Sequence, residues 1–283
     1  MMLTKPRWSR GFKSRAIAVA MLRPMLLRND RGGVLAIGQT SHAWISGQLA
    51  RAWGNVRFSA PEPREEVCLA AEQHDIGMAQ WDLEPTGNPN TGLPYSFMEM
   101  PLAEHLGLWS AAPRRLLTQS RYAALLVSMH GARLYARRDQ DALEDGEAQA
   151  VREYLAAERR FQDELVESLA ADPRTAASVE ESVLADNSQL IWTWDFLSLA
   201  ICLDWAPRPA PKVPSAEGRV ELALVPAGEE RRLWLDPWPF EGVRVAVRCD
   251  ARRLSGPFAG EEEMRVGLAA APWETVGFEL LSR

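Results

Sequence analysis

The chain has 283 residues, 47 % hydrophobic and 25 % charged, the balance of a globular protein with core enough for one large domain or two smaller ones. Its net charge of −6 gives no general electrostatic reason to bind nucleic acid, and no apolar run approaches the length of a membrane span. Lys5, Lys13 and Lys212 are the only lysines, so between Lys13 and Lys212 an anion can be gripped only by arginine or by backbone. Cys68, Cys202 and Cys249 are far apart and show no CxxC spacing; an odd set without a framework favours a reducing, cytoplasmic compartment.

Residues 1–24 carry Lys5, Arg7, Arg10, Lys13, Arg15 and Arg23 without an acid, and read as a disordered basic extension. From Met25 to Gln39 two apolar runs flank Asn29-Asp30-Arg31-Gly32-Gly33, the pattern of a hairpin. Thr40 or Ser41 then offers a cap for a helix on which His42, Ile45, Leu49 and Trp53 share one face. A second helix follows Pro63, with Glu65 and Glu66 in its first turn and Val67, Ala70, Ala71 and His74 on one stripe, and ends at Gly77.

Residues 82–98 form a long Pro- and Gly-rich loop, a candidate lid because it leaves the His74 helix directly. Helices are expected over 102–117 with His105, over 122–135 with His130, over the amphipathic stretch 144–171, and over 178–205 with Asp195 in its most apolar part. Pro207, Pro209, Pro211 and Pro214 read as a stiff linker. Short strands are expected beyond it, at 219–225, 232–235, 243–248, 264–268 and 275–281.

The four histidines, His42, His74, His105 and His130, all fall in one third of the chain, and His74 is followed directly by Asp75. A carboxylate in an apolar helix is costly unless it is paired or bound to metal, and imidazole with carboxylate suits first-row transition metals. Inward side chains on facing helices can build such a site. The last carboxylate is Asp195 or its neighbours on the same helix, Asp186 and Asp204. Arg133, one turn from His130, is the first choice for a substrate phosphate, ahead of Arg51, Arg57 and Arg64, and Trp81-Asp82 could orient a ligand.

The ordered series His42, His74-Asp75, His105, His130 and Asp195 resembles the HD-domain superfamily of metal-dependent enzymes, over roughly residues 40–205. The whole layout also resembles an uncharacterised bacterial family. The HD resemblance implies that His42, His74 and Asp195 hold one metal, Asp75 bridges, and His105 and His130 hold a second.

The expectation is then a mainly α, HD-like helical bundle with an N-terminal β-hairpin and a small C-terminal β-sheet, α+β overall. Its parts are the extension 1–24, the helical metal-binding domain 25–205, the linker 206–216 and a β-rich subdomain 217–283 docked on the helices. The expected activity is a phosphohydrolase in which Asp75 and Arg133 serve catalysis, with two divalent ions, Fe or Mn ahead of Zn or Ni, activating a bridging hydroxide. A di-iron oxygenase and a non-catalytic metal- or ligand-binding module are the alternatives. The expected partner is a small anionic substrate, with no nucleic acid or membrane, and with self-association open.

Overall fold

The computed structural model describes residues 25–95, 100–139 and 142–283; the basic extension 1–24 lies outside them. The chain opens with the hairpin β1 (Leu26–Asp30) and β2 (Gly33–Ile37), in register from Leu26 opposite Ile37 to Asp30 opposite Gly33. Gly32 and Gly33 sit at positive φ, 95° and 136°, where a side chain would be strained, which permits the tight turn. Helices α1 (Gln39–Ala52) and α2 (Arg64–Gln73) follow, then one 3₁₀ turn (Ile76–Met78) and the short α3 (Ala79–Leu83). After a minimal hairpin, β3 (Gly87–Asn88) and β4 (Leu93–Pro94), come α4 (Leu102–Leu116), α5 (Arg121–Ala136), α6 (Asp145–Ala170) and α7 (Glu181–Cys202). The chain closes with β5 (Arg208–Ser215), β6 (Gly218–Pro226), β7 (Arg232–Asp236), β8 (Arg244–Leu254), α8 (Glu261–Ala270) and β9 (Trp273–Ser282).

The expected mainly α bundle is corrected here. The strands form one seven-stranded sheet in the order β1-β2-β8-β9-β7-β6-β5, so the protein is an α+β fold in which the sheet is a full layer. The N-terminal hairpin belongs to that sheet because β2 pairs antiparallel with β8, Val34 opposite Leu254 through Ile37 opposite Ala251. The proline-rich stretch read as a linker is β5, paired with β6. Its prolines are tolerated because β5 is an edge strand, where a missing N–H breaks no ladder.

One further element changes type. Residues 264–268, expected as a strand, lie in α8: Met264 and Leu268 are buried one turn apart, Val266 between them is exposed, and Glu261, Glu262 and Glu263 occupy the favourable first turn.

The main core spans both layers, holding Ile45, Leu49, Leu125, Ile191 and Leu197 from helices together with Leu26, Leu35, Leu224 and Leu280 from strands. Trp53, at the end of α1, meets Trp194, Phe58 and Phe240 edge-on with ring centroids 5.6, 5.7 and 5.6 Å away. The loop read over 82–98 is fastened to the C-terminal segment in its described part: the Phe258 N–H donates to the Gly92 carbonyl at 2.7 Å, and residues 96–99 lie outside the described ones. Among the described residues no helix is long and apolar enough to cross a membrane.

Candidate metal centre

Helix α1 delivers His42 because its apolar stripe faces inward; His42, Ile45 and Leu49 are all buried. Neither Thr40 nor Ser41 caps it. The cap comes from α3, where Asp82 Oδ2 accepts from the Thr40 N–H at 3.1 Å and from its hydroxyl at 3.2 Å. Gly38 leaves room for that carboxylate, which would lie 2.9 Å from a Cβ there. Burial pushes the Asp82 carboxyl up to about 6, against the pull of the Thr40 and Gln39 donors.

Helix α2 ends at His74, and Asp75 leaves the helical conformation at φ −101°, ψ 17°, so both side chains of the pair turn inward. Gly77 is required beside them: a Cβ there would collide with the Leu108 carbonyl of α4. His130 comes from the apolar middle of α5. Asp195 comes from α7 and is the most exposed of the set at only 8 %.

These side chains converge. His42 Nε2 is 2.7 Å from Asp75 Oδ2. His74 Nε2 is 3.4 Å from that oxygen and 3.4 Å from Asp195 Oδ1. His130 Nε2 lies 3.4 Å from Asp195 Oδ2. The His42 and His74 rings are 5.2 Å apart and the His74 and His130 rings 5.1 Å apart.

Neighbouring groups orient the rings. His74 Nδ1–H donates to the Ala71 carbonyl at 2.8 Å, so its Nε2 lone pair faces the carboxylates. His42 Nε2 lies 2.7 Å from Asp75 Oδ2 and 3.1 Å from Gln39 Oε1, both acceptors, so it donates to them in the metal-free protein, while its Nδ1 meets the Ser198 hydroxyl at 3.0 Å. His74 Nε2 and both ring nitrogens of His130 are buried without a hydrogen-bond partner. A proton or a metal ion between these nitrogens and the carboxylates would satisfy them.

The electrostatics agree. Burial would depress His74 basicity, but Asp75 and Asp195 overcome this and raise its pKa well above the ordinary value. Burial would raise the two carboxyls, yet His74, His42 and His130 hold Asp75 and Asp195 below the usual carboxylate range. Two overlapping groups, His42-His74-Asp75 and His74-His130-Asp195, could each hold a metal ion.

His105 is in neither group. Its Nε2 accepts from Trp109 Nε1–H at 3.0 Å and its Nδ1 faces the Tyr135 hydroxyl at 2.5 Å; burial lowers its pKa to about 4. Of the three late aspartates, Asp186 pairs with Arg219 and Asp204 with Arg28, leaving Asp195 as the one among the histidines. Arg51 pairs with Glu72, Arg57 with Glu217 at 2.8 Å, and Arg64 donates to the Arg51 carbonyl at 2.6 Å. Arg133 donates to Gln189 Oε1 at 2.8 Å and stacks 4.3 Å over Trp192. Trp81 packs in a satellite core, and Asp82 is the cap described above.

Ser198, Ser46 and Trp192 were not singled out from sequence. The readable signal was a hydroxyl on the buried face of an apolar helix, since Ser46 and Ser198 are fully buried and Ser46 Oγ–H donates to Ser198 Oγ at 2.9 Å. A cavity of about 450 Å³ lies between α1, the end of α2 and β8. Ser41, Gln73 and Ile76 line it beside the ligands in sequence, but no His or Asp of the centre does.

Comparison with curated proteins and with solved structures finds no match. The model of a family described as "Protein of unknown function (DUF3891)" matches residues 25–256, from the first strand through the centre to β8, and the chain belongs to that family.

Proposed function

We propose that this protein is a metal-dependent hydrolase acting on a phosphoester. The observation that carries the reading is the buried cluster itself: His42, His74 and His130 face Asp75 and Asp195 in two overlapping groups that could each hold an ion, and His74 Nε2 and both His130 nitrogens have no hydrogen-bond partner. The order His42, His74-Asp75, Asp195 is that of HD-domain enzymes, which lends the hydrolytic assignment. We assign one ion to His42, His74, Asp75 and Asp195 and a second, more weakly held, to the His130 side. The mixed imidazole and carboxylate donors suit Fe or Mn ahead of Zn or Ni.

Divalent ions bound there would supply Lewis acidity and a water of lowered pKa. The chain's own residues do the rest. The Ala71 carbonyl holds His74 with its Nε2 toward the carboxylates, and Ser198 orients the His42 ring. Asp75, flanked by both histidines, would orient a nucleophilic water, and Arg133 would offer a guanidinium to a substrate phosphate. The dry walls around His74 and His130 strengthen each charge interaction.

The burial of every donor favours a second reading, a metal that only stabilises the fold. Elemental analysis of protein purified without chelator, then phosphate release on a phosphomonoester, phosphodiester and nucleotide panel, separates the two. One to two metals per chain with chelator-sensitive phosphate release supports the proposal. Metal with no turnover but a large melting loss on chelation favours the stabilising role, and oxygen uptake would redirect the assignment to an oxygenase. Less than roughly half a metal per chain, against the tight structural binding expected of such sites, removes it.

A further inference from the structure

Resting on the metal-centre reading, we infer that Arg133 and Arg137, stacked on Trp192 at the end of α5, form a second anion subsite, which selects substrates carrying two phosphate groups.

Both guanidiniums lie over one indole, with Cζ 4.3 Å from the Trp192 ring for Arg133 and 5.1 Å for Arg137. Arg138 follows, 5.6 Å over the Tyr135 ring. Among the described residues no carboxylate pairs with any of the three, whereas Arg51, Arg57, Arg114, Arg219 and Arg253 all have ion partners. Cations in the last turn of a helix are favoured by its dipole, which accounts for their sequence position. The dipole does not account for two of them converging on a tryptophan from another helix.

That convergence brings like charges together on a half-buried surface. Burial, and then Arg137, disfavour the charge on Arg133. A phosphate between the guanidiniums relieves this repulsion and accepts their planar N–H forks. Gln189 aims Arg133: its Oε1 accepts from the guanidinium at 2.8 Å, while its Nε2 donates to the Pro211 carbonyl on β5 at 3.3 Å.

The patch adjoins the centre through His130. That ring is 5.6 Å from Trp192 and 5.1 Å from His74, and both its nitrogens are buried without a partner. A phosphate held by the arginines therefore sits one side chain beyond the metal donors. A second phosphate of the same molecule reaches the donors themselves, the arrangement of a diphosphate or a bisphosphate.

The test is calorimetric titration of the full chain with pyrophosphate and with inorganic phosphate, in metal-loaded and chelator-treated form. Pyrophosphate should bind the wild type more tightly than phosphate. Arg137→Gln, at an exposed position, should weaken pyrophosphate by about tenfold, and Arg137→Lys by less, because the charge stays while the fork is lost. Melting temperature and metal content should not move in either variant. Pyrophosphate binding that is absent, or equal in wild type and Arg137→Gln, overturns the subsite and leaves the metal centre standing. Arginine-dependent pyrophosphate binding by a protein that takes up no metal keeps the anion site and overturns the metal reading instead.

Discussion

His74 Nε2 stands 3.4 Å from Oδ1 of Asp195, close enough for charge to act strongly yet without hydrogen-bond alignment. The contact joins the end of α2 to the middle of α7, and a positive charge between them decides whether the pair is favourable. In the metal-free protein the carboxylates favour a proton there, raising the His74 pKa well above its ordinary value against the effect of burial.

Metal and proton therefore compete. Uptake of Mn²⁺ or Fe²⁺ at neutral pH should release protons, and affinity should fall as pH falls. Titrations in buffers of different ionisation heat count the protons; a proton count of zero contradicts the picture. In the metal-free chain, the raised His74 pKa contributes stability present below the unfolded value of 6.5 and lost as pH rises through the folded value. The lowered Asp75 and Asp195 values contribute stability present above the unfolded 3.8 and lost as pH falls.

Ser198 touches no substrate in this scheme; it holds the His42 ring through a hydrogen bond between its Oγ and Nδ1 at 3.0 Å. Ser198→Ala removes that partner and should lower metal affinity by about 10- to 100-fold while the chain stays folded. Affinity measured by competition with a chelating dye checks it, and an unchanged constant would show that His42 needs no such anchor.

His105 should behave differently from His74. Changing His74 to Ala should remove most bound metal, whereas His105→Gln should leave the tightly held ion in place, because the His105 nitrogens are turned to Trp109 and Tyr135. The His105 pKa is lowered to about 4 from 6.5, so the unfolded chain takes its proton first and stability is lost as pH falls from about 6.5 to about 4. That loss is on the order of 3 kcal/mol. Denaturant titrations across this range should show a shallower decline for His105→Gln.

Asp82 caps α1 at an electrostatic cost, since burial raises its pKa from 3.8 to about 6. Its penalty is absent below 3.8 and complete above about 6. Asp82→Asn keeps an acceptor for the Thr40 N–H and hydroxyl without the buried charge, and should stabilise the protein at pH 8 by on the order of 1 to 3 kcal/mol but not at pH 4. Asp82→Ala loses the cap and should cost about 1 kcal/mol at pH 4. Equal melting of wild type and Asp82→Asn at pH 8 would falsify this account.

Local pattern sufficed for most elements. The stripe of His42, Ile45 and Leu49, the apolar run around His130, and the turn residues Asn29 to Gly33 each specify their element through neighbours within one or two turns. The convergence of His42, His74, Asp75, His130 and Asp195 was also legible, because a carboxylate or imidazole on an inward helical stripe has few inexpensive neighbours other than another such group. What α8 would be was not legible, since Met264, Val266 and Leu268 fit an alternating strand until Val266 is found exposed and Met264 and Leu268 buried on one helical face.

Tertiary structure alone decided the rest. The pairing of β2 with β8 joins Ile37 to Ala251 across most of the chain, and nothing local in either strand names its partner, so the sheet's extent and the strand identity of the proline-rich stretch stayed hidden. The environment of His105 was decided partly in the same way: Trp109 lies one turn away on the same helix, but only the packing of α4 against α5 brings the Tyr135 hydroxyl to the other ring nitrogen. Sequence fixes which faces must be buried through short-range periodicity; which buried faces meet depends on long-range packing, and the charge balance of the centre and of the arginine patch follows from that meeting.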